Sequence, residues 1–418
     1  MNHLKKDIVI NLGFTLLKTF VLFYSIHLAE SLLLPSALGL VLLFRRQSGV
    51  WASLLNFGQS QNILKYNQSV ETEARYFSSL VISLYAIVIY LVFSIIFSSS
   101  GSLVLFDSEQ PIIYQCFAVY VVGVICNFIA CSSWLSEHKY ILANLTELFS
   151  IGITFIVSLV IFPNDLIMIL VVNALGAMII SLLSLTFYLF LYKHKVKEKF
   201  QQTWFNLSII KTNLKFGLPR GFASFLDGSV FLVGPWLLAS NKKEAGYLII
   251  ALTLLKAIQV LLMPISQVLA LRVVKNSSQG NSEEIKLLKL LIASLVLSIV
   301  GVILYELVKT PLLQLWLPNS AQPVVYYLDQ FIDFLPALVL FYLLRNYVDL
   351  KFTIPFNLIF FIILLSFFFI SYYIQIAQGT HLNQVVISSL QYAFGLFFVY
   401  SVAFLFQLIS ICNGQNKT

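Results

Sequence analysis

Positive charge buried in apolar sequence is the feature of this chain with chemistry in it. Lys18 interrupts INLGFTLLKTFVLFYSI, Arg45 and Arg46 interrupt LPSALGLVLLFRRQSGVWASLLNF, and Lys256 interrupts YLIIALTLLKAIQVLLM. A charged side chain at a bilayer centre costs about 2.5–3.5 kcal/mol on insertion scales. Cations retained there can hold an anion inside the membrane, and arginine meets phosphate oxygens two at a time. Arg220 is a fifth, shallower cation whose long side chain can also reach the interface. The acids at comparable positions are Asp227, Glu147, and Asp333 with Asp329 one turn before it. Each can serve as half of an intramembrane ion pair or as a proton or sodium site that couples transport to a gradient.

The elements that must position these charges are membrane helices. Hydrophobic residues make up 59% of the 418, charged residues 11%, and mean hydropathy is +0.89. A soluble domain is about 25% charged. The apolar runs recur along the whole chain, which predicts an all-α integral membrane protein without a sizeable soluble domain. A span needs about 20 apolar residues. That predicts about twelve transmembrane helices, near 8–29, 35–63, 78–98, 112–134, 141–162, 166–191, 216–239, 245–271, 288–308, 323–344, 353–374 and 384–411. At about 1.5 Å per residue, Lys18, Arg45, Arg46 and Lys256 all fall near the midplane. The arginine pair leaves two possibilities for the second window, one continuous helix or two short ones joined by a kink.

The net charge of +8 orients the spans. Outside them, only Lys242, Lys243 and Lys309 fall on one side and every other lysine and arginine falls on the other. Cytoplasmic loops carry the basic excess, so both termini are expected in the cytoplasm. The first apolar stretch has no A-x-A cleavage site and is read as a retained span. Stretch 192–215 is the one long cytoplasmic connection. With Val196, Phe200, Trp204 and Leu207 at helical spacing it is either an amphipathic helix on the inner leaflet or a basic linker. It divides the chain into a six-helix lobe at 1–192, a linker at 193–215 and a second six-helix lobe at 216–418. Pro219, Pro235, Pro264, Pro336 and Pro355 lie within predicted spans as kink sites. The 37 Phe and 20 Tyr suit lipid-facing packing and interface belts.

Enzyme chemistry has no support in the motifs. There is no HExxH, GxSxG or P-loop, the five histidines are scattered, and the four cysteines lack metal or disulfide spacing. No catalytic residue, metal or cofactor is expected, and no basic cluster has the form of a nucleic-acid face.

At these residues the chain resembles a family. LPSALGLVLLFRRQSGVWASLLNFGQSQNILKYNQS, with its LG, polar interruption and NFG before a basic-aromatic exit, resembles the second-span region of O-antigen and polysaccharide lipid flippases. LKFGLPRGFASFLDGSVFLVGPWLLASNKKEAGYLIIALTLLKAIQVLLMPISQVLALRVV is similar to the start of that family's second half, and LLRNYVDLKFTIPFN to its exit from span ten. The family belongs to the multidrug/oligosaccharidyl-lipid/polysaccharide exporter superfamily. The resemblance implies two six-helix lobes forming a V-shaped, alternating-access transporter. It implies a substrate, an undecaprenyl-pyrophosphate-linked oligosaccharide of O-antigen or capsule type, moved from the cytoplasmic to the outer leaflet of the bacterial inner membrane. It implies that spans one, two, seven and eight line the cavity, so that Lys18, Arg45, Arg46, Arg220 and Lys256 contact the pyrophosphate and acidic sugars. The implied partners are that lipid-linked glycan, membrane lipid, and the polymerase and chain-length regulator of polysaccharide assembly. Two rivals share the span count. A multidrug antiporter of the same superfamily would favour an acidic cavity. An O-antigen polymerase would carry a long external loop, whereas SSSGSLVLFDSEQP and KTPLLQLWLPNSAQP are short.

Overall fold

Hydrocarbon offers a backbone no partner but itself, so a chain this apolar must satisfy its amides within helices. The computed structural model describes residues 2–66, 72–98, 111–137, 139–192, 207–275, 282–352 and 354–414, and it is all-helical. The first run holds α1 (Asn2–Leu32), α2 (Pro35–Leu55) and α3 (Gln59–Tyr66), and α4 (Thr72–Ser98) and α5 (Pro111–Ser136) follow. Next come α6 (Tyr140–Ile161), which contains a π-helical turn at Leu148–Ile153, and α7 (Leu166–Leu191). The chain continues through α8 (Leu207–Leu237), α9 (Lys242–Lys275) and α10 (Ser282–Trp316). It ends with α11 (Ala321–Asp329), α12 (Leu335–Lys351), α13 (Phe356–Ala377) and α14 (Leu382–Gly414).

With α3 counted as the continuation of α2, and α11 joined to α12, twelve long helical segments overlie the twelve expected windows. Length and apolarity alone are less generous. Among the described residues, seven helices are long and apolar enough to cross a membrane, or eight if the pair Ala321–Asp329 and Ile332–Asp349, bent by 49°, is one span. Among the described helices that fall short are α2 and α8, which carry Arg45, Arg46, Arg220 and Asp227, and those polar residues lower their hydropathy.

Local sequence explains most boundaries. Pro35 opens α2, where its missing amide would have had no helical acceptor. Asp165 caps α7, its Oδ1 accepting from the Met168 amide at 3.0 Å. Pro355 likewise stands at a helix start, and Pro336 opens α12 beside the bend between α11 and α12. Pro311, which the span reading passed over, lies inside α10. Val196, Phe200 and Trp204 of the predicted amphipathic stretch lie outside the described residues, and Leu207 opens α8.

The chain divides into two compact units, Phe20–Leu232 and Met1–Thr19 with Val233–Thr418. The division falls inside α1 and α8, whereas the sequence reading places it at 193–215, most of which lies outside the described residues. In the first unit α5 is central, packed against α2, α3, α4, α6 and α7. A Cβ on Gly123 would stand 2.8 Å from the Met178 amide nitrogen, so α5 meets the α7 backbone directly. The α2–α3 junction packs as tightly on α8. Phe57 (φ 47°) and Gly58 (φ 68°) turn the chain through left-handed backbone. A Cβ on Gly58 would stand 2.1 Å from the Gly217 carbonyl oxygen, and one on Gly221 2.6 Å from the Gly58 nitrogen. Asn62 completes this clasp by donating to the Asn213 carbonyl at 2.9 Å.

In the second unit α12 is central, touching α9, α10, α13 and α14. Its Phe341 packs edge-on against Phe361, Phe397 and Tyr400, with ring centroids at 5.5, 4.8 and 5.1 Å. Phe341, Phe361, Phe368, Phe394 and Phe397 are fully buried. Much of the phenylalanine read from composition as lipid-facing is therefore the core of this unit.

The glycine clasp predicts a contrast. Gly221→Ala should lower stability by about 1–3 kcal/mol through overpacking. Gly301→Ala, where an added Cβ meets nothing within 4 Å, should be neutral or stabilising. Thermal unfolding of the two purified variants in one detergent checks this.

Candidate functional site

Arg45 and Arg46 lie in one unbroken helix, the eleventh and twelfth of the 21 residues of α2. Successive residues on a helix point about 100° apart, so the two guanidinium groups meet different neighbours. Arg45 turns to α6. Its Nη2 donates to the Ile151 carbonyl at 2.8 Å, and its Cζ stands 3.9 Å from the centroid of the Phe155 ring. Arg46 turns to α8, with its Cζ 5.7 Å from the Phe231 ring centroid.

The acceptor of Arg45 lies in the π turn. There the Thr154 amide bonds the Phe149 carbonyl, five residues back instead of four. Return to ordinary pairing beyond Thr154 passes over the Ser150 carbonyl. Thr154 Oγ1 fills it at 2.6 Å. The neighbouring helices converge on this turn. Asn127 of α5 donates to Ser150 Oγ, and a Cβ on Gly152 would stand 2.8 Å from Val21 Cγ1 of α1. On α7, a Cβ on Gly176 would stand 2.7 Å from Thr154 Cγ2. Glu147, one of the expected ion-coupling acids, immediately precedes the turn and is partly buried.

Along its other side α2 runs antiparallel to α8. Arg46 faces Phe231, Val50 lies against Gly228, Trp51 against Phe225 with ring centroids 6.3 Å apart, and Gly58 against Gly217 and Gly221. Asp227, 3% exposed, sits one turn before Phe231 on this helix. Arg220, 8% exposed, turns back on its own helix, donating from Nη1 to the Phe216 carbonyl at 3.0 Å with its Cζ 3.7 Å from the Phe216 ring centroid. The unit Phe20–Leu232 thus holds Arg45, Arg46, Arg220, Asp227 and Glu147. Lys18 on α1 and Lys256 on α9, both partly buried, belong to the other unit.

The remaining acids go elsewhere. Asp333 is exposed in the 3-10 turn between α11 and α12. Asp329 is half of an ion pair, its Oδ2 2.8 Å from Lys309 Nζ and its Oδ1 accepting from the Tyr305 hydroxyl at 2.9 Å.

Sequence reasoning passed over Glu30 of α1, 4% exposed, because it stands at the end of its span. It also passed over the buried amides Gln47, Asn127 and Asn173, which carry no charge to mark them. A residue-by-residue count of amides within spans would have found them. Among the described residues no cluster of His, Cys, Asp and Glu could hold a metal ion.

The π turn makes one hydroxyl count for more than its equivalents. Thr154→Val removes the donor from a carbonyl that the register has left without an amide, and should lower stability by about 1–2 kcal/mol. Thr19→Val removes the same kind of bond, Thr19 Oγ1 to the Thr15 carbonyl at 2.9 Å, in ordinary helix and should lower it by less. Melting temperatures of the two variants in detergent give the comparison.

No protein-family model and no curated protein matches the chain. Solved structures do. Over 97% of this chain and 97% of the other it is similar to a MATE transporter crystallised in complex with MaD5, at a TM-score of 0.65 and 16% identity. An inward-facing multidrug resistance MATE family transporter of the MOP superfamily matches over 96% of this chain and 99% of that one, at a TM-score of 0.63 and 16% identity. A MOP superfamily transporter from Pyrococcus furiosus, whose reversed binding-pocket polarity is said to suggest a different function, matches over 97% and 96%, at 0.63 and 15% identity. Identities this low establish the fold alone: an all-helical MATE-like transporter fold of about twelve helices.

Proposed function

We propose that this chain is a flippase of the bacterial inner membrane, not an enzyme. It carries an undecaprenyl-pyrophosphate-linked oligosaccharide of O-antigen or capsule type from the cytoplasmic to the outer leaflet by alternating access. The observation that carries this reading is the arginine pair at the middle of an unbroken span-length helix. A pyrophosphate head group crosses hydrocarbon only when its charge is compensated, and guanidinium groups at that depth supply the compensation. The polyprenyl tail can stay in lipid while the head passes. Lys18, Arg45, Arg46, Arg220 and Lys256 are the cations that meet the head group in this reading, and Arg45 and Arg220 each also donate to a backbone carbonyl. The basic loops are the cytoplasmic ones in this reading, which places both termini inside. Solved transporters of like fold in inward-facing and outward-facing states support alternating access.

A second reading rests on the buried acids Glu30 and Asp227, which suit a multidrug or cation antiporter with the same fold. The two readings separate in one assay. In proteoliposomes, Arg46→Ala should slow flipping of a fluorescent polyprenyl-pyrophosphate disaccharide about tenfold or more, the loss expected for one hydrogen bond to a charged group. Arg46→Lys should recover part of it. Undiminished flipping by Arg46→Ala would sink the head-group assignment. Ethidium efflux driven by a proton gradient, lost in Asp227→Asn, would establish the antiporter instead.

A further inference from the structure

Arg45 and Arg46 are equivalent in the sequence and unequal in the structure. Arg45 has one guanidinium edge on a backbone carbonyl and one face on a ring, and both partners belong to α6 at or just beyond its π turn. A π turn inside an α-helix is rare and persists where its surroundings hold it. Here the holders come from four helices: Val21, Arg45, Asn127 and, through Thr154, Gly176. Among these contacts Arg45 supplies the charged donor, and a charged donor makes the shorter, stronger bond. The same contacts clamp α2 against rotation. Since Arg46 follows about 100° round the helix, that clamp sets the direction in which Arg46 points.

We infer that Arg45 is a positioning residue: it holds the Leu148–Ile153 π turn in its five-residue register and thereby fixes the face of α2 that presents Arg46. The part concerning Arg46 rests on the head-group reading above. The part concerning the turn stands apart from it.

The test uses the full chain in nanodiscs and two readouts. One is amide hydrogen exchange across 148–156, and the other is calorimetric binding of inorganic pyrophosphate. Arg45→Met, which keeps the stem and removes the donor, should speed exchange at 154 and 155 about tenfold. Phe155→Leu, which removes the ring under the guanidinium, should do the same in part. Arg45→Lys keeps a donor for the Ile151 carbonyl and should restore most of the protection. Arg46→Met should leave exchange unchanged and weaken pyrophosphate binding about tenfold or more. Native exchange in both Arg45→Met and Phe155→Leu overturns the pin. Loss of pyrophosphate binding in Arg45→Met equal to that of Arg46→Met, with exchange unchanged, makes Arg45 a ligand contact instead. If pyrophosphate binds to none of the proteins, including the native one, the head-group reading fails and the exchange data still decide the role of Arg45. Should Arg45→Met fail to fold, Phe155→Leu and Arg45→Lys carry the same comparison.

Discussion

A backbone carbonyl released from its helix in the middle of a membrane has no water to turn to. The π turn of α6 releases one, and the unit Phe20–Leu232 is arranged around the repair. Thr154 reaches back to the Ser150 carbonyl, and Arg45 reaches across from α2 to the carbonyl beside it. Asn127 ties down the Ser150 hydroxyl from α5. Glycines stand where a side chain would push neighbours away, at 152 against Val21 and at 176 against Thr154. Several features that look unrelated in the sequence thus answer one constraint, that polar backbone in hydrocarbon must be satisfied from within the protein.

The second unit meets the same constraint by other means. Its irregular backbone lies between α11 and α12, where the helical path bends by 49°. There Gln391 of α14 donates to the Gln330 carbonyl at 3.1 Å, a neutral amide in the role that Arg45 plays in α6. The short helix leading into the bend is anchored by polar contacts. Asp329 meets Lys309 and Tyr305, and the Tyr327 hydroxyl donates to Glu244 Oε2 at 2.6 Å. Behind the bend the core is aromatic, with Phe341, Phe360, Phe361, Phe397 and Tyr400 meeting largely edge to face. Edge-to-face contact gives such rings a directional attraction beyond their area, which matters where lipid tails are as apolar as the rings themselves.

Charge balance in the interior is closer than the spans alone suggest. Glu30 joins Asp227 among the deeply buried acids, against Arg220 with Arg45 and Arg46 on α2. A count of signs therefore does not choose a cargo. What distinguishes the bases is placement: two guanidinium groups at the centre of one helix, each with an aromatic ring against it. An aromatic face attracts a cation, and Arg45 also turns a guanidinium edge to a backbone carbonyl. Guanidinium groups at the middle of a span-length helix are the physical basis of the proposal that the cargo is an anionic head group.

The sequence by itself determined that this is a membrane protein, the number and approximate limits of its helices, and the positions of the charges along them. These follow from composition and from spacing along one chain, where an apolar run of span length has few alternatives to a helix. The window 166–191 coincides with α7 because its apolar run is uninterrupted and Asp165 supplies a cap. Tertiary structure alone decided which way each charge points. Whether Arg45 and Arg46 share a continuous helix, that Arg45 meets a carbonyl more than a hundred residues away, and that Asp329 pairs with Lys309 are all contacts between distant segments. The π turn was equally out of reach. One residue added to a helical turn leaves the composition of LFSIGI unremarkable, and its register is held by α1, α2, α5 and α7 together.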